Sequence, residues 1–239
     1  MISNMVFKNT ALFLVLSILS CGNSFNTKAR SEKPKAQDTI KSSKSSTAIE
    51  IKTGADDWMT YLPVLKKHKN IGIVANQTSI VNYNSNAKNR DELRTEPATK
   101  SMHLVDWLVE NKINVTKIYA PEHGFRGTAD AGELIKDGKD TKTGIPIISL
   151  YGDNKKPKPE QLAGIDILVF DLQDVGARFY TYISSLHYIM EACAENKIKL
   201  LILDRPNPNG NTVDGPVLEK ENSSFIGMHT IPVLHGMTI

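Results

Sequence analysis

Five short apolar runs, each closed by polar or glycine-rich positions, set the rhythm of this chain. Ile71, Ile73 and Val74 make the first, which ends at Asn76-Gln77-Thr78. Val115 to Ala120 alternates as a strand does, and Pro121 stops it by removing a ladder donor. Ile145 to Leu150 follows, closed by Tyr151-Gly152. Ile165 to Phe170 is continuously apolar, as a central parallel strand is, and runs into Asp171 and Asp174. Lys199 to Leu203 ends at Asp204-Arg205.

Segments with helical spacing separate these runs. Trp58, Leu62 and Leu65 follow an Asp cap in a short lead-in that Pro63 limits. Ser101 caps a helix whose apolar face is Leu104, Val105, Leu108 and Val109. The stretch KKPKPE (155–160) leads into a short helix, and Thr181 or Ser184 starts a longer one carrying Ile183, Leu186, Ile189, Met190 and Cys193, closed by Asn196-Lys197. Residues 82–96 read as an Asn-rich polar loop, 128–143 as a loop of glycine and charge, and 206–232 as turns and irregular chain. His235-Gly236-Met237-Thr238-Ile239 reads as a helix about to begin, with Thr238 as its cap, in a chain cut short.

Such alternation predicts an α/β fold: a doubly wound, mainly parallel sheet with helices on both faces. It puts Asn76, Glu122, Tyr151, Asp171 and Asp204 along one rim, at strand carboxyl ends where α/β folds hold ligands. The first residues are different. Lys8 precedes an apolar stretch from Ala11 that reaches Ser20-Cys21, too short to span a bilayer and ending like the lipobox of a bacterial lipoprotein. Residues 1–20 are therefore expected to be a signal peptide, and Cys21 a lipidated mature N-terminus that takes the protein out of the cytosol to the cell envelope. Residues 21–53 are Ser, Thr and Lys with little to bury, a flexible tether ahead of the domain at 54–239.

Charge sharpens that division. The tether carries net +4 and residues 54–239 net −2, so the basic character belongs to the tail. Beside an acyl chain it favours an anionic membrane surface or is simply solvated, and the domain offers no basic stripe for nucleic acid. Cys193 is the only other cysteine, so no internal disulfide is expected within the domain.

Candidate chemistry concentrates in YAPEHGFRG (119–127), with an acid, an imidazole, a guanidinium and two glycines in one turn. Glycoside hydrolysis needs a carboxyl group that can protonate a leaving oxygen, often with a second carboxylate. Metal-assisted hydrolysis by His123, Asp171 and Asp204 lacks any closely spaced ligand motif. Nucleotide binding lacks both glycine-rich phosphate motifs, and a serine hydrolase lacks its GxSxG elbow. Neither metal nor cofactor is expected. Asp174 can shape a loop, Asp204-Arg205 can form a strand-end salt bridge, and Arg178 beside Phe179, Tyr180 and Tyr182 suits a bidentate hold on a carboxylate.

GIVANQTSIV, KIYAPEHGFRG, GIPIISLYG, DILVFDLQDVGARFYTYISSL, LDRPNPNG and LHGMTI, in this order over residues 70–239, resemble the exo-β-N-acetylmuramidase (NamZ-type) family. The resemblance implies a glycoside hydrolase releasing N-acetylmuramic acid from the non-reducing end of peptidoglycan fragments. It also implies a Rossmann-like N-terminal domain and a smaller C-terminal domain missing from this chain. Carried over by position, Glu122 is the catalytic acid, and Asp171 is one candidate for the second catalytic group. Asn76, His123, Arg126, Arg178, Tyr180 and His235 are candidate substrate-binding residues, with Arg178 or Arg126 reading the lactyl carboxylate. The rival reading is a lipid-tethered protein that binds muropeptides without cleaving them. A working acid must be partly desolvated, whereas a glutamate clamped to Arg126 would stay ionised.

Overall fold

The computed structural model describes residues 51–127 and 136–239; the signal segment, Cys21 and nearly all of the tether lie outside the described residues. The chain runs α1 (Trp58–Leu65), β1 (Ile71–Ala75), β2 (Ile80–Tyr83), α2 (Arg90–Thr95), β3 (Lys100–His103), α3 (Leu104–Glu110) and β4 (Val115–Ala120). It continues through β5 (Gly138–Lys139), β6 (Pro146–Ser149), α4 (Pro159–Leu162), β7 (Ile167–Asp171), α5 (Tyr182–Glu195), β8 (Lys199–Ile202), β9 (Val213–Asp214) and β10 (Leu234–His235).

The main sheet has the order β5-β6-β4-β1-β7-β8. Every pair is parallel except the antiparallel edge β5–β6. The five predicted strands, counted along the chain, thus lie third-second-first-fourth-fifth. That is the order of a doubly wound half, with β1 at the point where the winding reverses.

Strand pleating sorts the side chains between two cores. Ile71, Ile73 and Ala75 of β1, with Ile167 and Val169 of β7, pack with Tyr61 and Leu65 of α1 and Leu104 and Leu108 of α3. Val74, Leu168 and Phe170 point the other way, onto Leu162 of α4 and Leu186, Ile189 and Cys193 of α5. Helices therefore cover both faces, as the continuous apolar runs require. Gly72 is needed at the centre: a Cβ there would lie 2.5 Å from Leu168 Cδ1 and 3.0 Å from Tyr119 Cε2.

The structure corrects three local expectations. The polar stretch 82–96 is not simply loop: it takes in the second half of β2, which pairs with β3, and α2, capped by Asn89 accepting from the Glu92 amide at 2.9 Å. Ser101 lies in β3, and the cap of α3 is His103, whose Nδ1 accepts from Val105 N–H at 3.3 Å. At the carboxyl end, Leu234–His235 forms β10 against β9, with Leu234 also bridging Ala177, where a helix start was expected. Arg178 N–H donates to Val233 O at 2.8 Å, so this backbone is committed to a ribbon.

Candidate functional site

Above the carboxyl ends of β1, β4 and β7 lies an open cleft of about 430 Å³. Glu122, His123, Gln173, Phe179, Tyr180 and Tyr182 are among its lining residues. After Pro121 ends β4, His123 and Gly124 both take left-handed backbone, with φ of 71° and 76°. A non-glycine residue in this region is strained, and such strain persists only where its surroundings enforce it. Here the next residues are fixed: Phe125 is buried edge-on against His103 at 4.8 Å, and Arg126 is drawn into an ion-pair cluster.

The cleft floor is a hydrogen-bond network centred on buried Asn76. Its Nδ2 donates to the Tyr182 hydroxyl at 2.8 Å, and its Oδ1 accepts from Thr78 N–H at 2.8 Å and Thr78 Oγ1 at 2.6 Å. Its carbonyl accepts from His103 Nε2 at 2.9 Å. Thr78 Oγ1 in turn accepts from Gln173 N–H at 3.1 Å. Asn76 thereby ties the end of β1 to the start of α5 and the segment after β7, and its side chain is used up in doing so.

Glu122 is half-buried, and its Oε2 accepts from Thr181 Oγ1 at 3.3 Å. The Tyr151 phenol stands near the same carboxyl; burial first, and then the Glu122 charge, raise its pKa. Burial also raises that of Tyr182, with Glu122 a further contributor. Among the described residues no arginine or lysine forms an ion pair with Glu122.

The other candidates are placed elsewhere. Arg126 Nε and Nη2 donate to Asp140 at 2.8 Å each, while Nη2 and Nη1 reach Asp106 at 2.9 and 3.2 Å. Arg126, with the Thr143 bonds, holds the Asp140 carboxyl well below its ordinary range. For Asp106 burial pushes upward, but Arg126 and Lys142 prevail and the net shift is down. Arg178 is an internal strut, its Nη1 donating to Pro216 O at 2.8 Å and Ile231 O at 2.5 Å.

Asp171 is fully buried and bidentate with Arg205 at 2.6 and 2.9 Å, so the salt bridge expected within Asp204-Arg205 forms with Asp171 instead. Burial pushes the Asp171 carboxyl up to about 6 against the pull of Arg205. His235 is buried behind the loop, its Nδ1 accepting from Met237 N–H at 3.3 Å and its Nε2 3.4 Å from Asp174 Oδ2. Asp174 does shape that loop, accepting from Gly176 N–H at 2.8 Å.

The cleft thus gathers Glu122, His123 and Tyr180 over the Asn76 network, while Asp171, Arg126, Arg178 and His235 do not line it. Thr78, Gln173, Phe179, Thr181 and Tyr182, with Tyr151 near Glu122, were not among the candidate site residues. Tyr151 had one sequence signal, its position at the end of an apolar run. Thr181 and Tyr182 had another, at the first turn of the α5 periodicity. Among the described residues no three His, Cys, Asp or Glu side chains are placed to hold a metal ion.

Comparison with known proteins follows the motifs. The family model described as "Exo-beta-N-acetylmuramidase NamZ, N-terminal" matches residues 71–239. The chain is 46% identical over 204 residues to the peptidoglycan β-N-acetylmuramidase NamZ of Bacillus subtilis (strain 168), covering 82% of this chain and 44% of that protein. Two crystal structures of DUF1343 family proteins from Bacteroides fragilis NCTC 9343 are also similar. BF0379 is 43% identical with a TM-score of 0.60, over 78% of this chain and 43% of that one. BF0371 is 37% identical with a TM-score of 0.65, over 80% and 44%. The chain spans less than half the length of each of these relatives.

Proposed function

From the premise that this chain belongs to the family of NamZ N-terminal domains, we propose that it serves a glycoside hydrolase that removes N-acetylmuramic acid from the non-reducing end of peptidoglycan fragments. The name of the Bacillus subtilis relative supports the substrate class. The observation that carries the reading is Glu122: a half-buried carboxyl in a cleft, set among hydroxyl groups and paired with no cation among the described residues. Such a carboxyl can hold a proton and release it, whereas one clamped by a guanidinium remains an anion.

In the reaction, Glu122 donates its proton to the glycosidic oxygen as the bond from the muramic C1 breaks. The remaining glycan leaves with a free hydroxyl, and water supplies the oxygen that ends on C1, its second proton restoring the acid. The Thr181 hydroxyl orients the Glu122 carboxyl. Asp171 is buried, paired with Arg205 and outside the cleft lining, so the proposed second group is not that carboxylate.

The test is release of N-acetylmuramic acid from a β-linked muramic acid–glucosamine disaccharide, whose alkoxide leaving group needs a proton, by the full chain and by Glu122→Gln. General acid catalysis is worth roughly 10²–10⁴-fold, and a loss of that order is expected with the thermal midpoint unchanged. Undiminished turnover in the variant would remove Glu122 as the acid. No turnover but retained muropeptide binding in the unaltered chain would favour a binding protein instead.

A further inference from the structure

We propose that His123, and neither Arg126 nor Arg178, is the residue that reads the lactyl carboxylate distinguishing N-acetylmuramic acid from N-acetylglucosamine. The assignment rests on the reading of this cleft as the muramic acid site. It is argued from what each polar group there still has free.

Neither candidate arginine lines the cleft. Arg126 spends four N–H bonds on Asp140 and Asp106, and Arg178 gives its Nη1 to two backbone carbonyls. Of the neutral donors of the cleft, the Tyr180 and Tyr182 hydroxyls keep an O–H to give but carry no charge, and the others are committed. Gln173 Nε2 bonds to Asp174 O at 2.6 Å and Pro206 O at 2.9 Å, Thr78 Oγ1 donates to Asn76, and Thr181 Oγ1 donates to Glu122.

Of the residues lining the cleft, His123 alone can carry positive charge. It is half-buried and, among the described residues, takes part in no hydrogen bond, ion pair or ring contact. Its backbone is held at φ 71° between Pro121 and the anchored Phe125-Arg126, which fixes the position of its Cβ at the cleft. An imidazolium donates two N–H bonds and a neutral imidazole still donates one, so the group can hold a carboxylate in either state. The neighbouring face is apolar and aromatic: Phe179 and Tyr180 are 52% and 50% exposed with ring centroids 5.6 Å apart, a surface for a sugar ring.

A site built around a donor for one substrate group discriminates against the analogue that leaves the donor unpaired. Hydrogen bonds to charged groups contribute about 1.5–3 kcal/mol, roughly ten- to hundred-fold in affinity. The experiment is calorimetric titration of the full chain with N-acetylmuramic acid, its lactyl methyl ester and N-acetylglucosamine. It is repeated with His123→Asn, chosen because asparagine tolerates left-handed backbone and keeps the turn. The unaltered chain is expected to prefer muramic acid by at least about tenfold over both neutral sugars, and in His123→Asn that ratio falls to about one. A ratio that survives in His123→Asn overturns the assignment. Equal binding of all three sugars by the unaltered chain also overturns it, while leaving the glycan site standing. Binding of none of them overturns the reading of the cleft and the assignment together.

Discussion

Arg126→Ala is expected to damage stability before specificity. The guanidinium bridges Asp106 and Asp140, which are 6% and 3% exposed. Its removal leaves Asp140 with only the Thr143 amide and hydroxyl, at 3.0 and 2.6 Å, and Asp106 with Lys142 at 2.8 Å. Taking one partner from a buried ion pair costs about 3–5 kcal/mol. Here Arg126 is 27% exposed and other donors remain, so the cost falls to the bottom of that range or just below it, about 2–3 kcal/mol. For a domain of this size that lowers the Tm by roughly 5–12 °C.

The pH dependence supplies a second signature. Both carboxyl pKa values are depressed in the folded protein. Their contribution is therefore fully present above the unfolded aspartate value of about 3.9 and is lost as pH falls below it toward the folded values. Urea unfolding of the two proteins at pH 7 and near pH 3 should show a large gap at neutrality that narrows in acid. If Arg126→Ala unfolds within about 0.5 kcal/mol of the parent at pH 7, the size of a neutral surface change, while preference for muramic acid disappears, the bracing argument is wrong. Arg126 would then be a substrate ligand.

Two further outcomes follow from the same geometry. Asp171→Ala strands the buried Arg205 guanidinium and should lower stability by about 3–5 kcal/mol in thermal unfolding; a variant as stable as the parent but inactive would return Asp171 to the catalytic list. His103 has a lowered pKa, chiefly from burial, and its Nδ1 accepts the α3 cap bond while Nε2 donates to Asn76 O. The unfolded chain thus takes up this proton first, so stability falls as pH drops below about 6.5 and keeps falling down to the folded pKa. Proton NMR titration of the His103 ring checks this, and an imidazole protonated at pH 6.5 in the folded protein would refute it.

The sheet was legible because the five parallel strands are short, mostly apolar runs closed by polar or glycine positions, with β4 alternating, and the reversal at β1 follows from helices falling on both faces. β2 and α2 were not, because Ile80–Tyr83 has only Val81 fully buried and Arg90–Thr95 only Leu93, too little for a hydrophobic period to register. The placement of Glu122 at a strand end was legible from Pro121. Its freedom from Arg126 was not. The two are four residues apart in sequence, and the carboxylates that capture the arginine, Asp106 and Asp140, come from α3 and from the far side of a long loop. Arg205 shows the same limit: its sequence neighbour Asp204 was the evident partner, yet a parallel register sets Asp171 at the end of β7 beside it.

These pairings bear on how the cleft can work at all. A rim of four acids and three arginines looks in sequence like a charged site, and in such a site a general acid would be neutralised by its nearest guanidinium. Instead Arg126 goes to Asp106 and Asp140, Arg205 to Asp171, and Arg178 to backbone carbonyls. Each cation is drawn toward the interior or along the rim, so that Glu122 is left among hydroxyl groups and one imidazole. The same substitutions that would unfold the braces would therefore also release guanidinium or carboxylate groups toward the cleft. A loss of activity in Arg126 or Arg205 variants is thus uninformative about catalysis unless stability is measured in the same sample. Glu122→Gln and His123→Asn touch neither brace, and for that reason the chemistry of the cleft is to be read from those two positions.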